Sequence, residues 1–342
     1  MGNIQSAYTM AYPPKSLFTI DQIPDLTGQT IIVTGGNAGI GRETCKVNGL
    51  LLTLLTYSNG LVQALLNKNA KVYVAARSKP KADEAIEWLK NETNGKEPIF
   101  LELDLANLAS IRKAVEEFKR QINSKEHELH VLFNNAGLMS PPVEQRTADG
   151  YDLQFGTNVL GHYFFTTLLL PTLIHTAKNS PIADGHVRVV NTSSMAAFWA
   201  CKEGIVWETL GTDANSAQAC KKMGTTMLYV QSKLGNVLFS NELARRYGEQ
   251  GIISSSVHPG VIRSGLPRHL PGLFVKFYTL FFYPTSQGAL TQLWTGTMPE
   301  GLDHNGKYLI PWARVGAMPP AARDEKLAEK LWEWLGEQVK GH

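Results

Sequence analysis

Tyr229 and Lys233 stand four residues apart in Leu228–Leu234, Leu-Tyr-Val-Gln-Ser-Lys-Leu, a stretch that reads as helix. One helical turn separates them, so the two side chains share a face and can act on one bound molecule. An ammonium held near a phenol favours the phenolate and draws the tyrosine pKa down from about 10 toward neutrality. Such a tyrosine can exchange a proton with an alcohol or a carbonyl. A tyrosine and a lysine at this spacing also decorate many solvated helices, so a catalytic reading depends on a cofactor site elsewhere in the chain.

The elements that would position such a site follow in order. Thr30–Thr34 is an apolar, β-branched run of the kind shown by a strand buried on both faces. It leads into Gly35-Gly36-Asn37-Ala38-Gly39-Ile40-Gly41 and then into helix-forming residues. Glycines let a backbone approach a pyrophosphate, and a helix N-terminus stabilises its charge. Gly35, Asn37, Gly39, Ile40 and Gly41 are therefore candidate cofactor contacts, with an ordinary tight turn as the plain alternative. The next strand, Lys71–Ala76, is followed by Arg77, at the position that faces the adenosine ribose in dinucleotide folds. A cation there, with no acid, favours NADP(H) and leaves NAD(H) as the alternative.

Further along, Lys81–Lys90 reads as helix and Ile99–Leu103 as a third strand. Asp104, at its end, suits either the adenine amino group or the cap of a helix from Leu108. A fourth strand, Leu129–Phe133, empties into Asn134-Asn135-Ala136-Gly137. Small residues in that turn make Asn135, Ala136 and Gly137 candidates for the ribose and nicotinamide side. Tyr151–Ile174 reads as one long helix, in which a buried Asn158 must find hydrogen-bond partners. A fifth strand, Val187–Asn191, delivers Ser193 and Ser194 to the carboxyl edge of the sheet, where open α/β sheets bind ligands.

The 34 residues between Ser194 and Tyr229 read as a surface excursion, and Met223–Tyr247 as the helix carrying the tyrosine and lysine. A sixth strand, Ile252–Val257, runs into His258-Pro259-Gly260. Phe274, Phe277, Tyr278, Phe281 and Phe282 then crowd one stretch, which suits a substrate lid; a buried helix and a membrane-touching patch are the alternatives. A helix at Ser286–Thr297, a short strand at Lys307–Ile310 and an amphipathic helix at Arg323–Lys340 complete the pattern.

One spacing is anomalous. The ribose-reading position should fall about 20 residues beyond the glycine motif, whereas Arg77 lies 36 residues beyond Gly41. The excess sits in residues 47–63, 17 residues without a charge. Excising them leaves a spacing of 19 and joins Cys45-Lys46 to Ala64-Leu65-Leu66 as one helix. Valine codons begin with GT and glutamine can be CAG, so Val47 and Gln63 suit the ends of a short in-frame intron retained in the coding sequence. A family-specific insertion is the alternative.

Composition sets the frame. The 342 residues are 43% hydrophobic and 18% charged, with a net charge of +3 and bases interspersed with acids, which argues against a nucleic-acid surface. Cys45, Cys201 and Cys220 lack metal-ligand spacing and fit a reducing compartment, so neither a metal nor a disulfide framework is expected. Met1–Asp21 has no apolar signal core, although Gly2 and Ser6 match the N-myristoylation pattern. A single acyl chain would bind membrane weakly. Strands alternate with helices without a linker. The reading is an α/β fold, a Rossmann-type doubly wound parallel sheet of about seven strands flanked by helices. It forms a single domain at 27–342 behind a loose extension at 1–26, with an atypical insertion at 47–63 and an apolar lid at 265–284. The protein reads as cytoplasmic, with at most peripheral membrane contact.

Taken together, Thr34-Gly35-x-x-x-Gly39-x-Gly41, Asn134-Asn135-Ala136-Gly137, Asn158, Ser194 and Tyr229-x-x-x-Lys233 resemble the short-chain dehydrogenase/reductase family. Arg42-Glu43-Thr44, Asn158-Val159-Leu160-Gly161-His162-Tyr163 and Ser232-Lys233-Leu234-Gly235-Asn236 look most like its retinol-dehydrogenase-like and carbonyl-reductase-like members. The resemblance implies Tyr229 as proton donor and acceptor, and Lys233 as the group that lowers its pKa and holds the nicotinamide ribose. It implies Ser194 on the substrate oxygen, with Ser193 in reserve, Asn158 supporting a water-linked proton relay to Lys233, and cofactor contacts from Pro259 and Gly260. The function implied is NADP(H)-dependent interconversion of a hydrophobic alcohol and its aldehyde or ketone. An inactive scaffold, its cofactor site spoiled by residues 47–63, is the competing reading. Expected partners are the small hydrophobic substrate and a second copy of the chain, and no nucleic acid.

Overall fold

The computed structural model describes residues 10, 12–36, 56–121, 128–262, 283 and 285–342. At its centre lies β1 (Thr30–Thr34), buried along its whole length as its unbroken β-branched run requires. It pairs in parallel with β2 (Lys71–Ala76) on one side and β4 (Val131–Asn134) on the other. Beyond β2 lies β3 (Ile99–Glu102); beyond β4 come β5 (Val187–Thr192), β6 (Ile252–Val257) and β7 (Tyr308–Ile310), all parallel. The order is 3-2-1-4-5-6-7-8. The sheet has eight strands rather than about seven, because the chain reverses after Ile310 and β8 (Arg314–Val315) pairs antiparallel with β7. The strand order turns over between β1 and β4, and such a switch point opens a crevice at the carboxyl ends of the strands.

Eight longer helices flank the sheet among the described residues: α1 (Thr56–Asn67), α2 (Lys79–Glu92), α3 (Leu108–Gln121), α4 (His162–Asn179), α5 (Ala214–Met223), α6 (Thr225–Tyr247), α7 (Thr285–Thr297) and α8 (Glu325–Gln338). Alternation along β1 sorts them into layers. Ile32 joins a core with Phe118 of α3, Phe165 of α4, Phe239 of α6 and Trp332 of α8. Ile31 and Val33 face the opposite way, onto Leu61 and Leu65 of α1 and Leu293 of α7.

Three sequence expectations change. The single helix expected at Tyr151–Ile174 is a short helix at Leu153–Phe155, a π-turn at Gly156–Gly161 and then α4. The π-turn ends where another segment crosses: a Cβ on Gly161 would stand 2.3 Å from the Leu105 carbonyl oxygen, so the loop after β3 passes against the helix there. The stretch after Ser194 is not merely surface, since Ile205, Leu210 and Cys220 are buried and α5 forms within it. Finally, α1 begins inside residues 47–63, and Leu61 and Val62 from that segment are fully buried. Asn37–Gly41, the myristoylation pattern at Gly2 and Ser6, and the aromatic stretch apart from Tyr283 lie outside the described residues. No helix among the described residues is long and apolar enough to cross a membrane, and none of their side chains cluster as a metal site.

Two glycines give opposite expectations. Gly60 lies in α1, and a Cβ there meets nothing within 4 Å, so Gly60→Ala should stabilise the protein by about 0.5–1 kcal/mol through helix propensity. An unchanged denaturation midpoint would mean that residues 56–63 are not helical in solution. Gly161→Ala should destabilise by about 1–3 kcal/mol, because the added methyl meets backbone that cannot step aside.

Candidate active site

The central element is α6, a 23-residue helix buried on nearly every side. It starts after Gly224, whose φ of +80° turns the chain out of α5. Lys233, 4% exposed, donates from Nζ to the Thr192 carbonyl at 3.0 Å, at the end of β5. The same carbonyl accepts from Asn236 Nδ2 at 2.8 Å, so α6 grips the sheet edge with two side chains. Lys233 Nζ also lies over the Tyr229 ring, 5.8 Å from its centroid.

The adjacent serines face different ways. Ser193 Oγ is buried and donates to the Lys233 carbonyl at 2.7 Å. Ser194 is half-buried; its hydroxyl faces Tyr229 closely enough to pull the phenol pKa down, and it accepts from the Ala196 N–H at 3.2 Å, capping the short turn Met195–Trp199. In the protein alone the electrostatics run opposite to the expected depression of the tyrosine. Burial pushes the Tyr229 phenol up to about 12 against the pull of the Ser194 hydroxyl, and burial draws Lys233 down to about 8. Desolvation outweighs attraction because the ammonium is directed to Thr192 rather than to the phenol oxygen.

Asn158 is fully buried in the π-turn. Its Oδ1 accepts from the Leu138 N–H at 3.0 Å, and its Nδ2 donates to the Leu138 carbonyl and to Ser232 Oγ, each at 3.0 Å. The amide therefore clamps the loop after β4 onto α6. Its own backbone carbonyl takes a hydrogen bond from the His162 ring at 3.0 Å. Gly137 lies against this clamp: a Cβ there would stand 3.4 Å from both Asn158 Oδ1 and Lys233 Nζ.

On the cofactor side, Thr34 Oγ1 accepts from the N–H groups of Asn135 at 2.9 Å and Ala136 at 3.0 Å, while Asn135 Nδ2 donates to the Thr34 carbonyl at 3.0 Å. Gly35 has φ +68°, and a Cβ on it would come within 3.0 Å of Ala136, so only glycine fits where these turns cross. The turns after β1 and β4 are thus joined at the switch point and carry almost no side chain. That fits a dinucleotide, which needs close backbone approach there. Arg77 is exposed at the end of β2 and forms no ion pair among the described residues. Asp104 is not the helix cap: Asn107 Oδ1 takes the Ser110 N–H at 3.1 Å, and Asp104 instead accepts from Ala106 N–H at 3.0 Å. Gly260, after Pro259, has φ +93°, and a Cβ on it would lie 2.8 Å from the Trp312 ring. Asn37, Gly39, Ile40 and Gly41 lie outside the described residues.

The sequence reading passed over Gln292 of α7. It is fully buried and donates from Nε2 to Asn135 Oδ1 at 3.1 Å and Thr192 Oγ1 at 2.7 Å, tying β4 to β5. Its Oε1 and the buried Tyr308 hydroxyl have no partner among the described residues. An amide flanked by apolar helix residues is the signal that singled out Asn158, and it applied equally to Gln292.

Comparison with known proteins agrees with this architecture. The short chain dehydrogenase family profile matches residues 58–208. A short-chain dehydrogenase/reductase of Armillaria gallica is 48% identical over 100% of both chains. An uncharacterized oxidoreductase of Schizosaccharomyces pombe is 38% identical over 97% of this chain and 90% of its own. Among solved structures, an NADPH-bound carbonyl reductase from chicken fatty liver superposes with a TM-score of 0.59 at 19% identity, over 86% of this chain and 100% of the other. Pseudomonas aeruginosa RhlG with NADP gives 0.61 at 19% identity, over 84% and 96%. On this full-length similarity, the chain belongs to the short-chain dehydrogenase/reductase family of oxidoreductases.

Proposed function

We propose that the protein interconverts a hydrophobic primary or secondary alcohol and its aldehyde or ketone, in the manner of retinol-dehydrogenase-like and carbonyl-reducing relatives, with NADP(H) as cofactor and Tyr229 as general acid and base. The observation that carries this reading is the half-buried Ser194 beside the buried Tyr229, with buried Lys233 under the tyrosine ring, at the carboxyl end of β5. Gly35, Asn135, Ala136, Gly137 and Lys233 would hold the nicotinamide half, Pro259 and Gly260 would border it, and Arg77 would meet the 2′-phosphate. When bound, NADPH supplies the hydride. Reduction builds negative charge on the carbonyl oxygen, which the Tyr229 and Ser194 hydroxyls stabilise, and Tyr229 then gives up its proton. A phenol pushed up to about 12 remains protonated at neutral pH and is ready to donate. The NADPH and NADP named with two structures of the same fold, and the cation at Arg77, support the cofactor preference.

A second reading, a chain whose cofactor site is disrupted, is favoured by the start of α1. Counting back the 17 residues of the 47–63 segment from Thr56 gives Gly39, and from Leu61 and Val62 gives Thr44 and Cys45. Excision would thus put Gly39-Ile40-Gly41 at the helix N-terminus, where a pyrophosphate is stabilised. In the chain as it stands, Thr56, Tyr57 and Ser58 hold those positions, and the family match starts only at residue 58.

NADPH titration separates the two readings. Deletion of 47–63 should tighten binding by about tenfold or more under the second, and equal affinities before and after deletion would dismiss it. In whichever form binds, Tyr229→Phe should lower kcat by about 10²-fold or more with NADPH affinity nearly unchanged; retained turnover would assign proton transfer elsewhere. Because burial lowers Lys233, its ammonium is lost as pH rises through about 8. The kcat/KM for carbonyl reduction should therefore fall above that pH, and a flat profile to pH 9.5 would show that the charge of Lys233 is not required.

A further inference from the structure

His162, the first residue of α4, lies beneath the cofactor turns and is 1% exposed. One ring nitrogen, Nδ1, is 3.0 Å from the Asn158 backbone oxygen, and the other, Nε2, is 2.9 Å from Thr34 Oγ1. These contacts fix the tautomer. A backbone oxygen can only accept, so Nδ1 carries the proton; burial pulls the imidazole pKa to about 4, with Lys233 adding to the shift, so the ring is neutral and Nε2 accepts. Thr34 must then donate to Nε2, which is closer than its other acceptor, the Phe133 carbonyl at 3.3 Å. With its proton committed, the Thr34 hydroxyl presents both lone pairs to the Asn135 and Ala136 N–H groups. His162 thereby orients the joined turns after β1 and β4. On its other side it holds the carbonyl of Asn158, the residue whose amide clamps Leu138 and Ser232 beside Lys233.

We propose that His162 is a positioning residue with two separable tasks: Nε2 orders the cofactor-binding turns through Thr34, and Nδ1–H orders the Asn158 segment that supports Lys233. The inference rests on the proposed dehydrogenase reading for its functional consequence, but its hydrogen-bond pattern stands without it. The imidazole thus links halves of the site that come from β1 and from the π-turn.

Two amide variants divide the ring. In His162→Asn the amide reaches as far as Nδ1, which preserves the Asn158 contact and removes the one to Thr34. In His162→Gln it reaches as far as Nε2, preserving Thr34 and releasing Asn158. The measurement is NADPH affinity by fluorescence, together with kcat for a long-chain aldehyde, in the parent chain or its form lacking 47–63, whichever binds NADPH. His162→Asn should weaken NADPH binding by about tenfold with kcat within about threefold, and His162→Gln should do the reverse. Equal losses in both variants, or none, would overturn the proposal. Nitrogen-15 spectra of the imidazole give a reading independent of cofactor. A neutral Nδ1–H tautomer persisting from about pH 8 to pH 5 is required, and an Nε2–H tautomer or an imidazolium in that range would overturn it. Failure of both parent forms to bind NADPH would reject the cofactor reading and leave the spectra to decide the hydrogen-bond pattern.

Discussion

The carbonyl oxygen of Thr192 is the fixed point of this molecule. It ends β5, and it receives the Lys233 ammonium and the Asn236 amide one turn apart on α6. A helix buried on nearly every side has no single apolar stripe to set its rotation on the sheet. These two polar contacts supply that rotation, and with it the direction in which Tyr229 faces. The cost is a lysine taken almost wholly out of water, which explains why its proton is held less tightly than usual. The bond that ties α6 to the sheet edge thus also keeps the ammonium against the tyrosine ring.

Much of this was legible in the sequence because it is local. The β-branched run Thr30–Thr34 could only be a doubly buried strand, and the four-residue spacing of Tyr229 and Lys233 could only place them on one face. What was not legible depends on contacts between distant segments. The π-turn around Asn158 is accompanied by the close crossing of Gly161 and the Leu105 carbonyl, 56 residues away in the chain. The opposite shifts of Tyr229 and Lys233 depend on burial, which a helix sequence does not report. The choice between Ser193 and Ser194 depended on which hydroxyl the Lys233 backbone would capture.

Leu61 and Val62 show that a core and a binding turn ask different things of a sequence. Leu61 and Val62 fill the layer beneath β1 as apolar residues of many kinds could, since a core asks for volume and polarity. A phosphate-binding turn asks instead for glycine at set positions and for a helix that begins immediately after them. The first demand is met by composition and the second by spacing. A core position therefore tolerates changes of residue that a phosphate-binding turn does not.

The chain reversal that makes β8 also places Trp312 against both Gly260 and Tyr283, the ring centroids of Trp312 and Tyr283 lying 5.1 Å apart. Tyr283 N–H in turn donates to the Val261 carbonyl at 3.0 Å. Ile262 and Tyr283, 21 positions apart in the chain, are thus held side by side. A change at Trp312 therefore bears on Gly260 and Tyr283 together, although those two residues lie 23 positions apart in the chain.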